Sequence, residues 1–128
     1  PSIGKIKQII GPVVDVSFAA ENAKLPNILD ASTSGTLNIT GLGASSLTID
    51  ANQGNFSIFT IDTGADLSIS GVTVSGANNT SGNGGAFNNS GTLTVNNSTI
   101  AGNTATVFGG AIFNSGTLTV TNSTLSGN

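Results

Sequence analysis

A block of twenty residues is written twice, twenty-five positions apart: GGAFNNSGTLTVNNSTIAGN begins at Gly84 and GGAIFNSGTLTVTNSTLSGN at Gly109. Gly91 recurs as Gly116, Asn97 as Asn122 and Gly102 as Gly127, each at the same step. A period of this length marks a chain built from stacked units, none of which can bury its apolar face alone. Within the same region the chain is uncharged. Residues 67–128 contain no Asp, Glu, Lys or Arg.

At 128 residues the chain is one domain by length, or one repeat array with an appendage. Trp, Tyr, His, Cys, Met and Arg are absent. A thick globular core normally uses large side chains, so the composition favours a thin, elongated core of Val, Ile, Leu and Ala. Without Cys there is no disulfide frame and no thiol chemistry. Lys5, Lys7 and Lys24 are the only cations, balanced by Asp15, Glu21 and Asp30, while Asp50, Asp62 and Asp66 leave a net charge of −3. No basic patch is present to neutralise phosphates, so no nucleic-acid partner is expected. No run reaches the roughly 18–20 apolar residues that span a bilayer, and no signal-peptide pattern opens the chain. It starts at Pro1 without Met, as expected after processing or trimming.

The pattern changes near Ala31–Ser34, from charged-apolar to Asn/Ser/Thr/Gly-rich, which predicts an N-terminal segment over 1–31 and repeats over 32–128. Alternating pairs then recur: Leu37/Ile39, Leu47/Ile49, Phe56/Ile58, Leu67/Ile69, Val72/Val74, Leu93/Val95 and Leu118/Val120. Period-2 alternation of β-branched residues predicts short half-buried strands, and the Gly, Asn and Ser clusters between them supply turns. No helix is expected after residue 32.

The equivalent strand starts Leu37, Leu67, Leu93 and Leu118 are separated by 30, 26 and 25 residues. The excess is placed at a turn near Gly41–Ser46 or Gly54. A 25-residue unit has a contour of roughly 80 Å, enough for three short strands and their turns. Coils about 4.8 Å apart then make three and a half turns rise about 17 Å. Each strand pairs in parallel with its equivalent in the next coil, which satisfies the backbone between coils. The fold class read from these residues is all-β, a β-solenoid of three to four coils.

Stacked repeats place like over like. Asn97 over Asn122 and Asn89 over Asn114 are expected to bond as amide ladders. Leu93, Val95, Ile100, Leu118, Val120 and Leu125 are read as inward. The facing of Phe87, Phe108, Ile112 and Phe113 is open at this level, with Phe113 placed outside because Asn88 precedes it by one repeat.

Through GGAFNNSGTLTVNNSTIAGN, GGAIFNSGTLTVTNSTLSGN and the leading LTID, FTID and LSISGVTVSG, residues 35–128 resemble the right-handed parallel β-helix repeats of bacterial polymorphic outer-membrane and autotransporter-passenger proteins. That resemblance implies a right-handed parallel β-helix at the cell surface or outside the cell. It implies little about activity, since the architecture hosts adhesins, lyases and inert spacers. Residues 3–31, with GKIKQIIGPVVDVSF followed by LPNIL, resemble the N-terminal segment of the β subunit of rotary ATP synthases. In that family the segment begins a small barrel, not the nucleotide site. The phosphate-binding loop is absent, so no nucleotide partner is expected. On its own pattern the segment is a strand pair, broken at Gly11-Pro12 and interrupted after it by Pro26, placed to cap the first coil or to hang as an arm. Two unrelated resemblances joined end to end point to an engineered, chimeric or computer-generated sequence.

The densest acidic run is Asp62-Thr-Gly-Ala-Asp66. Two carboxylates at that spacing can hold a hard cation or act as an acid/base pair, yet a calcium site takes six or more oxygens, and a polar turn is the simpler reading. The calcium-roll pattern fails because Gly84-Gly85-Ala86 continues into Phe87. The abundant Ser and Thr have no His to activate a hydroxyl. The triplets Asn38-Ile-Thr40, Asn55-Phe-Ser57 and Asn122-Ser-Thr124 fit the glycosylation pattern by chance in so Asn/Ser/Thr-rich a chain. The expected catalytic, cofactor-binding and metal residues are therefore none. The expected function is a structural scaffold that self-associates through its uncharged solenoid ends. The alternatives are an adhesin fragment or a carbohydrate-active enzyme.

Overall fold

The computed structural model describes residues 4–10, 13–18 and 36–128, the first two segments as backbone. The breaks expected at Gly11-Pro12 and Pro26 lie outside the described residues, as does the LPNIL run. Strands β1 (Gly4–Ile10) and β2 (Val13–Phe18) form the expected pair, antiparallel, with Gly4 opposite Phe18 and a register shift between Ile6 and Gln8. The backbone of β2 lies beside β3 (Thr36–Thr40), the first strand of the stack.

From β3 onward the chain winds in coils of short strands. The first coil adds β4 (Thr48–Asp50) and β5 (Phe59–Ile61). The second holds β6 (Asp66–Ser70), β7 (Thr73–Ser75), β8 (Asn78–Asn79) and β9 (Phe87–Asn89). The third holds β10 (Thr92–Asn96), β11 (Thr99–Ala101), β12 (Thr104–Ala105) and β13 (Ile112–Asn114), and the fourth begins with β14 (Thr117–Thr121) and β15 (Thr124–Ser126). Equivalent strands stack in the orders β14-β10-β6-β3, β15-β11-β7-β4, β13-β9-β5 and β12-β8, all parallel. The protein is a parallel β-solenoid of about four turns, and no described residue is helical.

The register follows from the alternation. Leu37, Leu67, Leu93 and Leu118 align across the first sheet, and so do Ile39, Ile69, Val95 and Val120. Leu67, Ile69, Leu93, Val95, Val74 and Ile100 are completely buried. Burying each such side chain contributes about 1.5–3 kcal/mol, which is where the coil stack gains its cohesion. A one-residue slip would turn the whole set outward, so the register is strongly specified.

The surplus in the first repeat sits at the expected corner. Seven residues, Gly41 to Leu47, separate β3 from β4, whereas two separate β6 from β7 and β10 from β11. Leu42 rides on this loop, 97% exposed. One phase differs from expectation. The strand after Gly54 is built on Phe59 and Ile61, not on Phe56 and Ile58. The tight turn at Asn52 and Gln53, both with positive φ, consumes residues 51–57, so regular pairing resumes only when Ile58 N–H reaches Gly85 O and Phe59 N–H reaches Ala86 O. The open Phe assignments are also settled. Phe87 is fully buried and stacked on Phe59 at 5.2 Å, Ile112 lies in register with Phe87, and Phe113 lies in register with Asn88 on the outer side. Phe108 is 63% exposed and stacks on Phe113.

Glycine is required where coils meet at a corner. A Cβ on Gly85 would strike the backbone oxygens of Gly110 and Thr104, which cannot move without breaking the stack. Gly102, with φ +64°, has open space around it, and a side chain there meets only backbone strain. Gly85→Ala is therefore expected to destabilise by about 2 kcal/mol and Gly102→Ala by about 1 kcal/mol. Urea unfolding midpoints for the two variants check the order.

Candidate functional site

The acidic run was the sequence's strongest candidate. Asp62 is exposed in a reverse turn, its carbonyl accepting a hydrogen bond from Ala65 N–H at 2.9 Å, with Gly64 at φ +87°. Asp66 lies on β6, its Oδ2 accepting from the Thr36 hydroxyl at 3.1 Å across the first sheet. One carboxylate thus belongs to a turn and the other ties two coils together. Among the described residues no group of three or more His, Cys, Asp or Glu side chains converges on a point that would hold a metal. The Asp50 carboxylate accepts from Asn52 N–H at 2.8 Å and holds the left-handed turn that follows β4.

Inside the solenoid buried polar side chains gather where Asn79 Nδ2 donates to Ser57 Oγ at 3.2 Å and at three corners that repeat from coil to coil. At the first, Asn89 is fully buried; its Nδ2 donates to Asn114 Oδ1 at 2.6 Å and to Thr117 O at 2.9 Å, while Oδ1 accepts from Gly91 N–H. This is the expected ladder. At the second, Ser98 Oγ donates to Asn96 O and accepts from Val72 N–H one coil back, and Ser123 repeats the motif one coil on. At the third, Asn103 Oδ1 accepts from Ala77 N–H, and Nδ2 donates to Val74 O and Asn128 Oδ1. Asn128 does the same to the coil before it, accepting from Asn103 N–H and donating to Ile100 O.

Asn97 and Asn122 correct one expectation. They stack at equivalent turns with the same φ of 48°, but their side chains form no ladder among the described residues; Asn97 is exposed and uses its backbone N–H on Thr121 O. The left-handed turn points the amide to solvent and delivers the next residue, serine, to the corner instead. The Ser98/Ser123 and Asn103/Asn128 ladders carry the same 25-residue signature as Asn89/Asn114, so the period marked them. What it lacked was which polar residue of each turn faces in.

The outer surface is made by four strand stacks, one of them the short β12-β8 pair. Two orphaned oxygens, Asn83 Oδ1 and Asn96 Oδ1, are buried without a hydrogen-bond partner. Of the glycosylation triplets, Asn55 is engaged through Oδ1 with Thr80 N–H at 2.7 Å, and its partner Ser57 is buried, donating to Gly84 O. Apolar exposure gathers at Val107 and Phe108, beside Phe113. No family model and no solved structure matches this chain.

Proposed function

We propose that this chain is a non-catalytic structural scaffold, a β-solenoid of chimeric or engineered origin that associates with further copies through its coil ends. The observation that supports it best is the use of the buried polar groups. Asn89, Ser98 and Asn103 each bond across coils, so the interior polarity holds the stack together and is not presented to a substrate. The uncharged run over 67–128 adds to this, because acid/base and lyase chemistry need ionisable groups that this run lacks. Purified protein is expected to release no product from a panel of polysaccharides and to leave ATP unhydrolysed. Turnover that survives repurification and falls with Asp62→Asn or Asp66→Asn would overturn the scaffold reading. A natural gene carrying both segments in one frame would overturn the chimeric origin.

Self-association rests on the edge formed by β14 and β15. The strand edge carries no charge to repel another copy. Sedimentation velocity is expected to show dimers or longer species growing with concentration. A strict monomer at high concentration would remove this part of the proposal, as would a Val120→Lys variant that associates as well as the parent.

A second reading, a surface adhesin fragment of the polymorphic outer-membrane or autotransporter kind, is favoured by one observation. Phe108 and Phe113 stack outside the solenoid with ring centroids 6.3 Å apart, the aromatic surface on which a sugar ring packs. Such a protein works at the cell surface or beyond it. Binding on a glycan array that disappears in Phe108→Ala would favour this reading over the scaffold alone.

A further inference from the structure

The outward face of the first sheet carries a two-dimensional lattice of threonines. Because Leu93 and Val95 point inward with no exposure, Thr92, Thr94 and Asn96 point out from β10. Parallel pairing sets Thr117, Thr119 and Thr121 of β14 directly beside them. Five of these six adjacent positions are threonine. The register runs without a shift into β6 and β3, where the outward residues are Asp66, Ser68 and Ser70 and then Thr36, Asn38 and Thr40, so the threonine rows themselves span β10 and β14.

The hydroxyls on this patch are free. Among the described residues none of the five threonine hydroxyls bonds within the chain, whereas those of Ser57, Thr73, Ser98 and Ser123 all do. Threonine is also β-branched and restricted at χ1, so equivalent hydroxyls and methyls on a repeated backbone adopt a repeated arrangement. The other faces lack the combination. On the second sheet a single threonine row, Thr48, Thr73, Thr99 and Thr124, is interrupted where the Thr73 hydroxyl bonds Ala44 O, and the row beside it reads Asp50, Ser75, Ala101, Ser126. The outer row of the third sheet reads Thr60, Asn88, Phe113.

The dimensions of the lattice resemble those of solid water. Stacked strands repeat at about 4.8 Å and outward residues along a strand at about 6.7 Å. Oxygens hydrogen-bonded tetrahedrally at about 2.75 Å lie about 4.5 Å from their second neighbours and repeat at about 7.3 Å along the perpendicular axis. Both directions agree within about a tenth, a misfit of about 0.3 Å between neighbouring strands. Methyl groups order first-shell water without taking its hydrogen bonds, and hydroxyls at the same spacing pin it. Charges would impose their own hydration; β10 and β14 carry none, and the Asp66 carboxylate on β6, beside Thr92, is held by the Thr36 hydroxyl.

We propose that this face binds ice, with Thr92, Thr94, Thr117, Thr119 and Thr121 as the contact set. The face runs along the side of the solenoid, so association through the coil ends leaves it open. Its small extent limits the effect to adsorption on ice.

The test grows ice slowly in a dilute solution of the full chain and compares the protein incorporated with that of serum albumin. The parent chain is expected to concentrate in the ice. Thr94→Tyr/Thr119→Tyr, which breaks the plane, is expected to lose incorporation, and Asn88→Tyr on the third sheet is expected to keep it. Far-UV circular dichroism checks that the variants fold. If the tyrosine pair does not fold, Thr94→Ser/Thr119→Ser keeps the hydroxyls, loses the methyls and the χ1 restriction, and is expected to weaken incorporation. Exclusion of the parent from ice overturns the proposal. So does equal incorporation of the folded face variants and the parent, or loss in Asn88→Tyr equal to that in the face variants. Retention on crystalline cellulose with exclusion from ice also overturns it, and assigns the lattice to a polysaccharide.

Discussion

Phe87→Ala is expected to destabilise the protein by about 3–5 kcal/mol, a large share of the stability of an ordinary domain. Phe87 has no exposed surface and stacks on Phe59 with the rings 11° from parallel. Backbone bonds hold the site on both sides, Phe87 N–H to Ala111 O and Phe59 N–H to Ala86 O. The cavity left by the ring therefore cannot collapse without separating coils, which puts the cost at the upper end of such truncations. Urea denaturation of Phe87→Ala and Phe113→Ala makes the contrast, because Phe113 faces outward and its loss is expected to change stability by about 0.5 kcal/mol or less. A double-mutant cycle between Phe59 and Phe87 is expected to show a coupling of about 0.5–1.5 kcal/mol from the stacked pair. Equal costs at Phe87 and Phe113 would mean that the inward and outward phases of the third sheet are misassigned.

Asn103→Ala is expected to cost about 3–4 kcal/mol, although it removes only a small polar side chain. The amide is fully buried and serves Ala77 N–H, Val74 O, Ala101 O and Asn128 Oδ1. Without it, backbone groups of two coils are left without partners away from water, at about 1–3 kcal/mol each. Asn103→Asp separates hydrogen bonding from volume, since the side chain is isosteric but loses its donor when ionised. Burial against three oxygens raises the folded pKa of that carboxyl above its unfolded value of about 4. Its neutral form is then the one that fits, so the variant's stability is retained below that pH and lost as pH rises through the folded pKa. Thermal unfolding across an acid-to-neutral series is the measurement. A midpoint for Asn103→Asp that does not fall toward neutral pH would mean that the amide is not buried as described.

Much of this fold was legible because a repeat constrains itself. The leucines at 37, 67, 93 and 118 announced the first sheet, and the structure aligns them. Asn89 over Asn114 was legible for the same reason. The failure at Asn97 is instructive, since Asn97, Ser98 and Asn103 recur with the same period and differ only in which way the corner turns. A positive φ at Asn97 sends its amide outward and brings Ser98 in, and spacing alone carries no trace of that choice. Alternation continues through Phe56 and places it in a strand, but the left-handed turn at Asn52 and Gln53 shifts the phase before β5 begins. The acidic run Asp62–Asp66 reads as a turn in the sequence; the Ala65 hydrogen bond closes one over Asp62 to Ala65, while Asp66 begins β6 and accepts from the Thr36 hydroxyl.

By itself, the amino-acid order determined the coil length and the inward set of leucines, valines and isoleucines. Those follow from a fixed period combined with two-residue alternation, and no other arrangement buries the apolar residues. It gave three strands to a lap, and the fourth of each full lap, β8 and β12, lies where no alternating pair marks it. Tertiary structure alone decided which of the adjacent Ile112 and Phe113 turns in, and which polar residue lines each corner. Both depend on where the strand phase restarts after a turn. That phase is set by hydrogen bonds to the previous coil, such as Ala86 and Phe87 N–H to Ala111 O, between residues far apart in the chain.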